Sequence, residues 1–356
     1  MVKILRNILF LGIAASVLAS CAADPVVKTN AGNKRYFDAW IHIQKEVEAN
    51  YPSAYETGNG IWVLEETIVP GALAWNGDVH QYAILEYTVT DLDNVVQTTT
   101  SRDIAFKVGL DTTAYFGPRI QGIGESMCNV GLEDALQGMT VGSVRKVAIP
   151  SWLQTSSRYK TADEYLDYSV SASDAIYTIK LVDALEDVYE WEKAQLKKYS
   201  EDNLGDTPAT WPTPDDEENE AFKDGFYFLC TGGPAEPRDI PADTTVYINY
   251  TGRILTTGKV FDTTVARTAK DWGIYNPSRD YSPVQINWSE SYSDITMGES
   301  ETSVVTGFKA GLSLMKDRQS AIVAFWSPLG YGYSGSGTTI PGYMPLIFEL
   351  EIVENK

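Results

Sequence analysis

The chain has 356 residues, of which 44% are hydrophobic and 21% charged, a composition that excludes collagen-like, coiled-coil and wholly disordered chains and leaves room for about two domains. Its 48 acidic and 28 basic residues give a net charge of -20, which disfavours nucleic acid as a partner because phosphate backbones are also negative. Both histidines, His42 and His80, lie early in the chain, so the C-terminal half cannot hold a Ser-His-Asp triad or a histidine-based metal site. We expect no metal and no cofactor.

The first 20 residues have the features of a signal peptide. A basic start precedes an apolar run, Ile8 to Leu18, that is too short to span a bilayer. The run ends in LASC, which resembles a bacterial lipobox, and the alternative is an ordinary signal peptide followed by a chance cysteine. We predict lipidation of Cys21, a tether over residues 21–33, and attachment to the bacterial cell envelope, with the outer membrane favoured. The remaining cysteines, Cys128 and Cys230, allow either free thiols or a disulfide.

Beyond the tether, one pattern occurs twice. Each copy starts with a predicted helix whose apolar stripe has helical spacing: Tyr36, Trp40, Ile43 and Val47 in the first, and Val188, Trp191, Gln195 and Tyr199 in the second. The strand-like segments GIWVLEE and HQYAILEYTV follow in the first copy, and GFYFLCT and TTVYINYTG in the second. The repetition predicts two domains of the same architecture.

The second halves of the copies also match. Gly131 pairs with Gly307 and Met139 with Met315, both 176 positions apart, and each copy ends in an alternating strand, AIYTIKLVDAL or PLIFELEIV. Between the copies, residues 201–220 contain eight carboxylates and no basic residue, which predicts a solvated linker, since no calcium-ligand spacing is present. Short alternating strands with a helix on one face predict an α+β fold with antiparallel sheets.

Three motifs of the second copy resemble the FKBP-type peptidyl-prolyl cis-trans isomerases. They are YTGRILTTGKVFDTT (250–264), VVTGFKAGLSLM (304–315) and SPLGYGYSGSGTTIPGYMPLIFELEIV (327–353), separated by longer insertions over roughly 265–282 and 288–302. The resemblance implies two FKBP-like domains, each a curved antiparallel sheet wrapped around a short helix and preceded by an extra helix. It divides the chain into a degenerate FKBP-like domain (34–186), a helix with an acidic linker (187–224) and an isomerase domain (225–356).

The resemblance also implies a set of site residues. Those implied to be catalytic are Tyr250, Phe261, Asp262, Val305, Phe308, Tyr331 and Phe348, and those implied to bind substrate are Val284, Val304 and Ile340. Phe308 stands where many family members have tryptophan, at the floor under the proline ring, and the backbone N–H of Val305 is the implied carbonyl donor. The alternation of residues such as Phe348 and Leu350 is by itself more typical of a core strand than of a binding site. Only the presence of the three motifs in family order favours a site.

The function implied is isomerisation of X-Pro bonds in proline-containing polypeptide clients exported to the envelope. Rotation of such a bond has a barrier of about 18–20 kcal/mol, because the amide is conjugated. A dry apolar cup disfavours the planar amide more than the twisted one. The alternatives are a non-catalytic peptide-binding or chaperone-like lipoprotein with an FKBP fold, and a structural component of a surface complex.

In the first copy the site motifs are missing. Tyr87 stands where Tyr250 stands, but NVVQTTT replaces the Phe-Asp stretch, Leu132 replaces Phe308, and Ile179 is aligned with Phe348. We therefore expect the first copy to keep the fold and lack activity, serving in packing, client binding or dimerisation.

Overall fold

The computed structural model describes residues 30–111, 113–124, 127–167, 171–203 and 222–354. The predicted signal peptide, Cys21 and most of the acidic linker lie outside the described residues. Within the described ranges, no helix is both long and apolar enough to cross a membrane.

The first half of the chain folds around one antiparallel sheet. Its strands are β1 (Tyr55–Glu56), β2 (Trp62–Thr67), β3 (Tyr82–Thr90), β4 (Val96–Thr99), β5 (Arg119–Gly122), β6 (Val144–Ile149) and β7 (Ala175–Leu185). They lie in the order β1-β2-β6-β7-β3-β4, and β5 also pairs with β3. The helices are α1 (Asn30–His42), which continues as a π-helical turn, α2 (Arg102–Val108), α3 (Val130–Leu136) and α4 (Ala162–Leu166).

The second half forms a second antiparallel sheet. Its strands are β8 (Phe226–Gly232), β9 (Thr245–Ile254), β10 (Val260–Thr263), β11 (Val284–Asn287), β12 (Thr296–Met297), β13 (Thr302–Ser303), β14 (Ser320–Phe325) and β15 (Leu346–Val353). The order is β13-β12-β11-β9-β15-β14-β8, with β10 also on β9. Helix α5 (Val188–Asn203) precedes this sheet, and α6 (Ala266–Asp271) and α7 (Thr306–Ser313) follow β10 and β13.

The two sheets share one topology, which confirms the predicted α+β fold. The path β2-β6-β7-β3 corresponds to β8-β14-β15-β9, and the far edge of β3, like that of β9, is shared by two short strands. The repetition reaches single hydrogen bonds, because the backbone N–H of Tyr250 donates to Thr264 Oγ1 at 2.9 Å and that of Tyr87 donates to Thr100 Oγ1 at 2.9 Å. These bonds fix Tyr87 and Tyr250 as equivalent residues.

The paired glycines bring the short helix close to the sheet in both halves. A Cβ on Gly131 of α3 would overlap the side chain of Ile149, and a Cβ on Gly307 of α7 would overlap the ring of Phe325. Ile149 and Phe325 occupy equivalent positions at the ends of β6 and β14. The helix therefore packs directly on the sheet because neither glycine has a side chain.

The predicted helical stripes are wrong in their phase. In α1 the buried apolar residues are Phe37 and Ile41, while Tyr36 and Val47 are 63% and 66% exposed. In α5 Val188 is buried as predicted, and the other buried residues, Glu192, Leu196 and Ser200, each lie one position after a predicted one. Helix α1 also begins at Asn30, so residues 30–33, assigned to the tether, are helical. The error in α1 has a physical cause, since Phe37 packs edge-to-face on Trp152 at 5.6 Å, a tertiary contact that the spacing does not reveal.

The two units contact each other directly. Tyr82 of the first unit packs edge-to-face on Tyr343 of the second, with ring centroids 5.3 Å apart. Within the second half, the carboxylate of Glu192 in α5 accepts hydrogen bonds from the N–H and the hydroxyl of Ser327 at 2.5 and 2.7 Å. Ser327 begins the connection between β14 and β15, which carries two of the predicted site residues.

Candidate active site

Aromatic rings from four elements of the second unit converge on Phe348 of β15. The ring centroid of Phe348 lies 5.0 Å from that of Phe308, 5.6 Å from that of Phe261 and 6.3 Å from that of Tyr250. Tyr250 also meets Phe308 edge-to-face at 5.8 Å. Phe308, Phe348 and Tyr250 are 2%, 5% and 8% exposed, so the rings form an apolar cluster largely shielded from water.

Gly252 makes room for two of these rings. It lies opposite Phe348 in the β9–β15 pairing. A Cβ at this position would lie 2.5 Å from Cζ of Phe261 and 2.9 Å from Cε1 of Phe348. Only glycine allows Phe261 and Phe348 to meet over strand β9.

A hydrogen-bonded polar group borders the aromatic cluster. The hydroxyl of Tyr250 donates to Oδ2 of Asp262 at 2.6 Å. The guanidinium of Arg279 forms an ion pair with Oδ1 of Asp262 and donates to the Tyr250 hydroxyl at 3.4 Å. Burial and the adjacent Asp262 carboxylate raise the pKa of Tyr250 well above its usual value, so its phenol stays protonated and keeps donating.

Arg279 was not predicted as a site residue. It lies in the insertion after β10, where Tyr275 and Tyr281 stack at 5.1 Å and the guanidinium lies over the ring of Tyr281 at 5.4 Å. The available signal was an arginine between two tyrosines in an insertion that follows a site aspartate. The insertion therefore supplies the cation that pairs with Asp262.

The remaining predicted residues lie in or against the hydrophobic core of the second unit. Ile340 is buried in that core, and Val284, Val304, Val305 and Tyr331 are half-buried against it. Their role as site residues stays a prediction.

Two polar groups beside the cluster are free to bind a peptide. Val305 precedes the first turn of α7, and its backbone N–H has no hydrogen-bond partner among the described residues. The hydroxyl of Tyr331 likewise has none within the part of the chain that the structure describes, and burial raises its pKa.

In the first unit, different side chains lie at the position that is equivalent to the aromatic cluster. Strand register matches Gln97 and Thr98 with Phe261 and Asp262, and Val89 with Gly252. The aromatic pair is absent, and the Cβ of Val89 fills the space in which the rings meet in the second unit. A cavity of about 250 Å³ remains, lined by apolar and polar residues that include Tyr87, Thr98, Gln121, Asn129, Leu132 and Tyr177.

The alignment of Ile179 with Phe348 is wrong. Tyr177 pairs with Val89 and Val147, as Phe348 pairs with Gly252 and Val323. Strand β7 carries an irregularity between its pairings to Ile84 and Leu85, which adds a residue near its end. The register of β7 is therefore given by its strand pairing and not by a count of residues along the strand.

The cysteines and acidic residues of the described ranges form neither a disulfide nor a metal site. Cys128 and Cys230 are free thiols. In the described ranges, no group of three or more His, Cys, Asp or Glu side chains could hold a metal ion.

Sequence comparisons identify the second unit. Residues 278–353 match the family model described as FKBP-type peptidyl-prolyl cis-trans isomerase. The C-terminal unit is an FKBP-type domain. This match covers β11 to β15 and α7, which carry Phe308 and Phe348, whereas Tyr250 and Phe261 of the aromatic cluster precede the matched residues.

Two curated relatives support this family. A Haemophilus influenzae protein named "Probable FKBP-type peptidyl-prolyl cis-trans isomerase" is 30% identical over 115 residues, which are 32% of this chain and 36% of that protein. "FK506-binding protein 2" of Kluyveromyces lactis is 27% identical over 139 residues, 38% of this chain and 82% of that protein. The chain thus spans about a third of the length of the Haemophilus relative.

Solved structures with FKBP domains are also similar. The structure of the three FKBP domains of wheat FKBP73 covers 85% of this chain and 98% of its own at 14% identity, with a TM-score of 0.28. FkpA from Escherichia coli covers 46% of this chain and 59% of its own at 18% identity, with a TM-score of 0.30.

Proposed function

We propose that the FKBP-type domain catalyses cis-trans isomerisation of X-Pro bonds in exported polypeptides. The observation that carries the proposal is the aromatic cluster around Phe348, bordered by Tyr250, Asp262 and Arg279, in a domain whose family consists of such isomerases. Its rings offer an apolar surface to a proline ring, and its free polar groups lie beside that surface.

The proposed mechanism is physical rather than covalent. A proline ring bound over Phe308 and Phe348 leaves water, and so does the adjacent amide. Because the twisted amide has lost its conjugation and is less polar than the planar one, removal from water costs the twisted form less. The apolar cluster thereby lowers the rotation barrier.

Hydrogen bonds hold the twisted amide in place. The free N–H of Val305 is suited to donate to a peptide carbonyl, and the hydroxyl of Tyr331 is suited to a second polar contact. Asp262 acts on the site through Tyr250, whose ring it orients, and Arg279 offsets the charge of Asp262 at the border of the cluster.

The proposal is tested with Phe348→Ala and Asp262→Ala in the full chain, using a protease-free assay of an X-Pro peptide. We expect kcat/KM to fall by about tenfold or more for each variant. Phe348→Ala removes a ring that contacts the twisted amide, and Asp262→Ala removes the carboxylate that orients the ring of Tyr250. Phe228→Ala is the matched control, because Phe228 is as buried as Phe348, at 5%, but lies on β8, beyond β14 from Phe348. Full activity in both folded site variants would show that the site is assigned wrongly.

A second candidate function is peptide binding without catalysis by the first unit. The observation in its favour is the 250 Å³ cavity at the place equivalent to the aromatic cluster, with polar as well as apolar walls. Calorimetric titration of the Phe348→Ala chain with X-Pro and proline-free peptides tests it. Retained binding that is lost on Tyr87→Ala would support this function, and absence of binding would refute it.

The proposed location is the bacterial cell envelope, with Cys21 lipidated. The support is the apolar run that ends in LASC. Cys21→Ala should block lipid-coupled processing and release the protein from the membrane fraction. Mass spectrometry that finds an unmodified Cys21 at the start of the mature protein from native envelope would contradict the proposal.

A further inference from the structure

A residue of the first unit is embedded in the core of the FKBP-type domain. Tyr115 is 1% exposed and belongs to the buried cluster of the second unit that includes Ile340 and Met344. Its backbone N–H donates to the carbonyl oxygen of Thr338 at 2.9 Å. Thr338 lies two residues before Ile340, a wall of the proposed site.

The tip that Tyr115 contacts is closed by backbone hydrogen bonds. We call residues 326–345, which connect β14 to β15, the site loop, since they carry Tyr331 and Ile340. Within it, Ser336 and Ile340 exchange two backbone hydrogen bonds, of 2.7 and 3.1 Å. Because Thr338 lies inside this small ring, a displacement of Thr338 displaces Ile340 as well.

The segment around Tyr115 also holds the hairpin that leads to Phe261. The ammonium of Lys259 donates to the carbonyl oxygens of Ala114 and Thr113 and lies over the ring of Phe116 at 5.9 Å. Lys259 is half-buried by these contacts, and that burial lowers its pKa. One short segment of the first unit therefore contacts the loop that carries Tyr331 and Ile340 and the hairpin that precedes Phe261.

The start of the site loop is fixed from outside the second sheet as well. Glu192 of α5 is fully buried and accepts both the N–H and the hydroxyl of Ser327. Near its other end, Tyr343 packs against Tyr82 of β3. The site loop is thus held at its start, tip and end by residues that precede β8 in the chain.

We propose that the first unit positions the active site of the second, with Tyr115 as the positioning residue that fixes the tip of the site loop and hence the Ile340 wall. The inference rests on the proposed isomerase function for its kinetic consequence. The cluster residues on the sheet and α7 do not depend on the site loop, whereas Ile340 does. Loss of Tyr115 should therefore weaken substrate binding more than turnover.

The test uses the full chain with Tyr115→Ala. We expect kcat/KM for an X-Pro peptide to fall by about tenfold, mainly through a higher KM, with kcat within about twofold of the parent. Amide hydrogen exchange in residues 326–345 should accelerate at least about tenfold, while β9 and β15 keep their protection. Tyr115→Phe should restore both values, because the ring remains and only the hydroxyl bond to the Pro118 carbonyl is lost.

Tyr165→Ala is the matched control. Tyr165 is 6% exposed in the core of the first unit and packs on Tyr159 at 4.8 Å. Tyr165→Ala therefore also removes a buried tyrosine side chain from the first unit, but from its own core and not from the core of the second unit. The control should leave KM and exchange in the site loop unchanged. If Tyr115→Ala fails to fold, Tyr115→Leu, which keeps apolar volume, is measured in the same way.

The results separate this inference from the proposed function. Unchanged KM and unchanged exchange in a folded Tyr115→Ala chain would overturn the positioning role, as would an equal effect of Tyr165→Ala. A parent chain without isomerase activity would overturn the proposed function instead, and faster exchange confined to the site loop would still support the positioning role.

Discussion

At the scale of single residues, a buried carboxylate at the junction of the two units makes stability depend on pH. Burial raises the pKa of Glu192 to about 7, although the two hydrogen bonds from Ser327 favour its ionised form. The nearby tyrosines, Tyr189 and Tyr343, have raised pKa values and stay neutral in this range. Glu192 therefore binds a proton in the folded chain at pH values where it is ionised in the unfolded chain.

We predict that this residue favours folding below about pH 4.5 and loses that contribution as the pH rises to about 7. The free energy of unfolding should fall by about 3 kcal/mol over that window, relative to a Glu192→Gln chain that cannot titrate there. Urea unfolding of both chains at pH 5 and pH 8 measures the difference. Parallel pH dependence in the two chains would show that Glu192 is ionised throughout.

At the scale of elements, one position on strand β9 decides whether an aromatic cup can form. Gly252 lies under Phe261 and Phe348, and Val89 occupies the equivalent position in the first unit. The next strand differs in the same way, because Gln97 of β4 stands in the first unit where Phe261 of β10 stands in the second. The two units thus have the same topology but different sites, because Gly252 lacks the Cβ that Val89 has at the equivalent position.

Gly252→Val, which introduces the residue of the first unit, should displace Phe261 and lower kcat/KM by about tenfold or more. The overlap should also destabilise the chain by about 1–3 kcal/mol. Gly32→Ala is the control, since a Cβ there meets no atom within 4 Å and should be neutral or slightly stabilising in α1. A folded Gly252→Val chain with full activity would show that the two rings need not meet.

At the scale of the whole molecule, the two units share a fold, and the roles proposed for them differ. The first unit has no counterpart of Phe261, Asp262 or Phe308, and its segment around Tyr115 completes the core of the second. An isolated first unit would expose Tyr115, so its activity is better measured in the full chain. The division of labour is therefore a property of the assembled pair.

The first unit should not make up for the activity lost in the Phe348→Ala chain, since it has no counterpart of the Phe261–Phe348 pair. Tyr87→Ala, the change equivalent to loss of Tyr250, should leave kcat/KM within about twofold of the parent because Tyr87 lies in the first unit's own cavity. The protease-free assay measures both, with circular dichroism as the check on folding. Substantial activity that survives Phe348→Ala and disappears with Tyr87→Ala would place the active site in the first unit.

The sequence by itself determined the α+β class, the repeat and the residues of the cluster. Strand alternation and the spacing of Gly131 and Gly307 are local patterns, and three ordered motifs predicted ten site residues, of which the fold groups Tyr250, Phe261, Asp262, Phe308 and Phe348. Tertiary structure decided what depends on partners distant in the chain. The phase of α1 follows from the contact of Phe37 with Trp152, and the match of Tyr177 with Phe348 follows from strand pairing across an irregularity that cannot be counted along one strand.

The same reason explains Arg279 and Tyr115. Each acts on a residue that it meets only after folding: Arg279 pairs with Asp262 across an insertion, and Tyr115 reaches Thr338 from the other unit. Neither residue belongs to a periodic pattern or a motif. An ion pair and a buried ring depend on which distant segments come into contact, and that contact leaves no regular spacing in the sequence. Local periodicity therefore determined the elements, and packing between distant segments decided how the site is held.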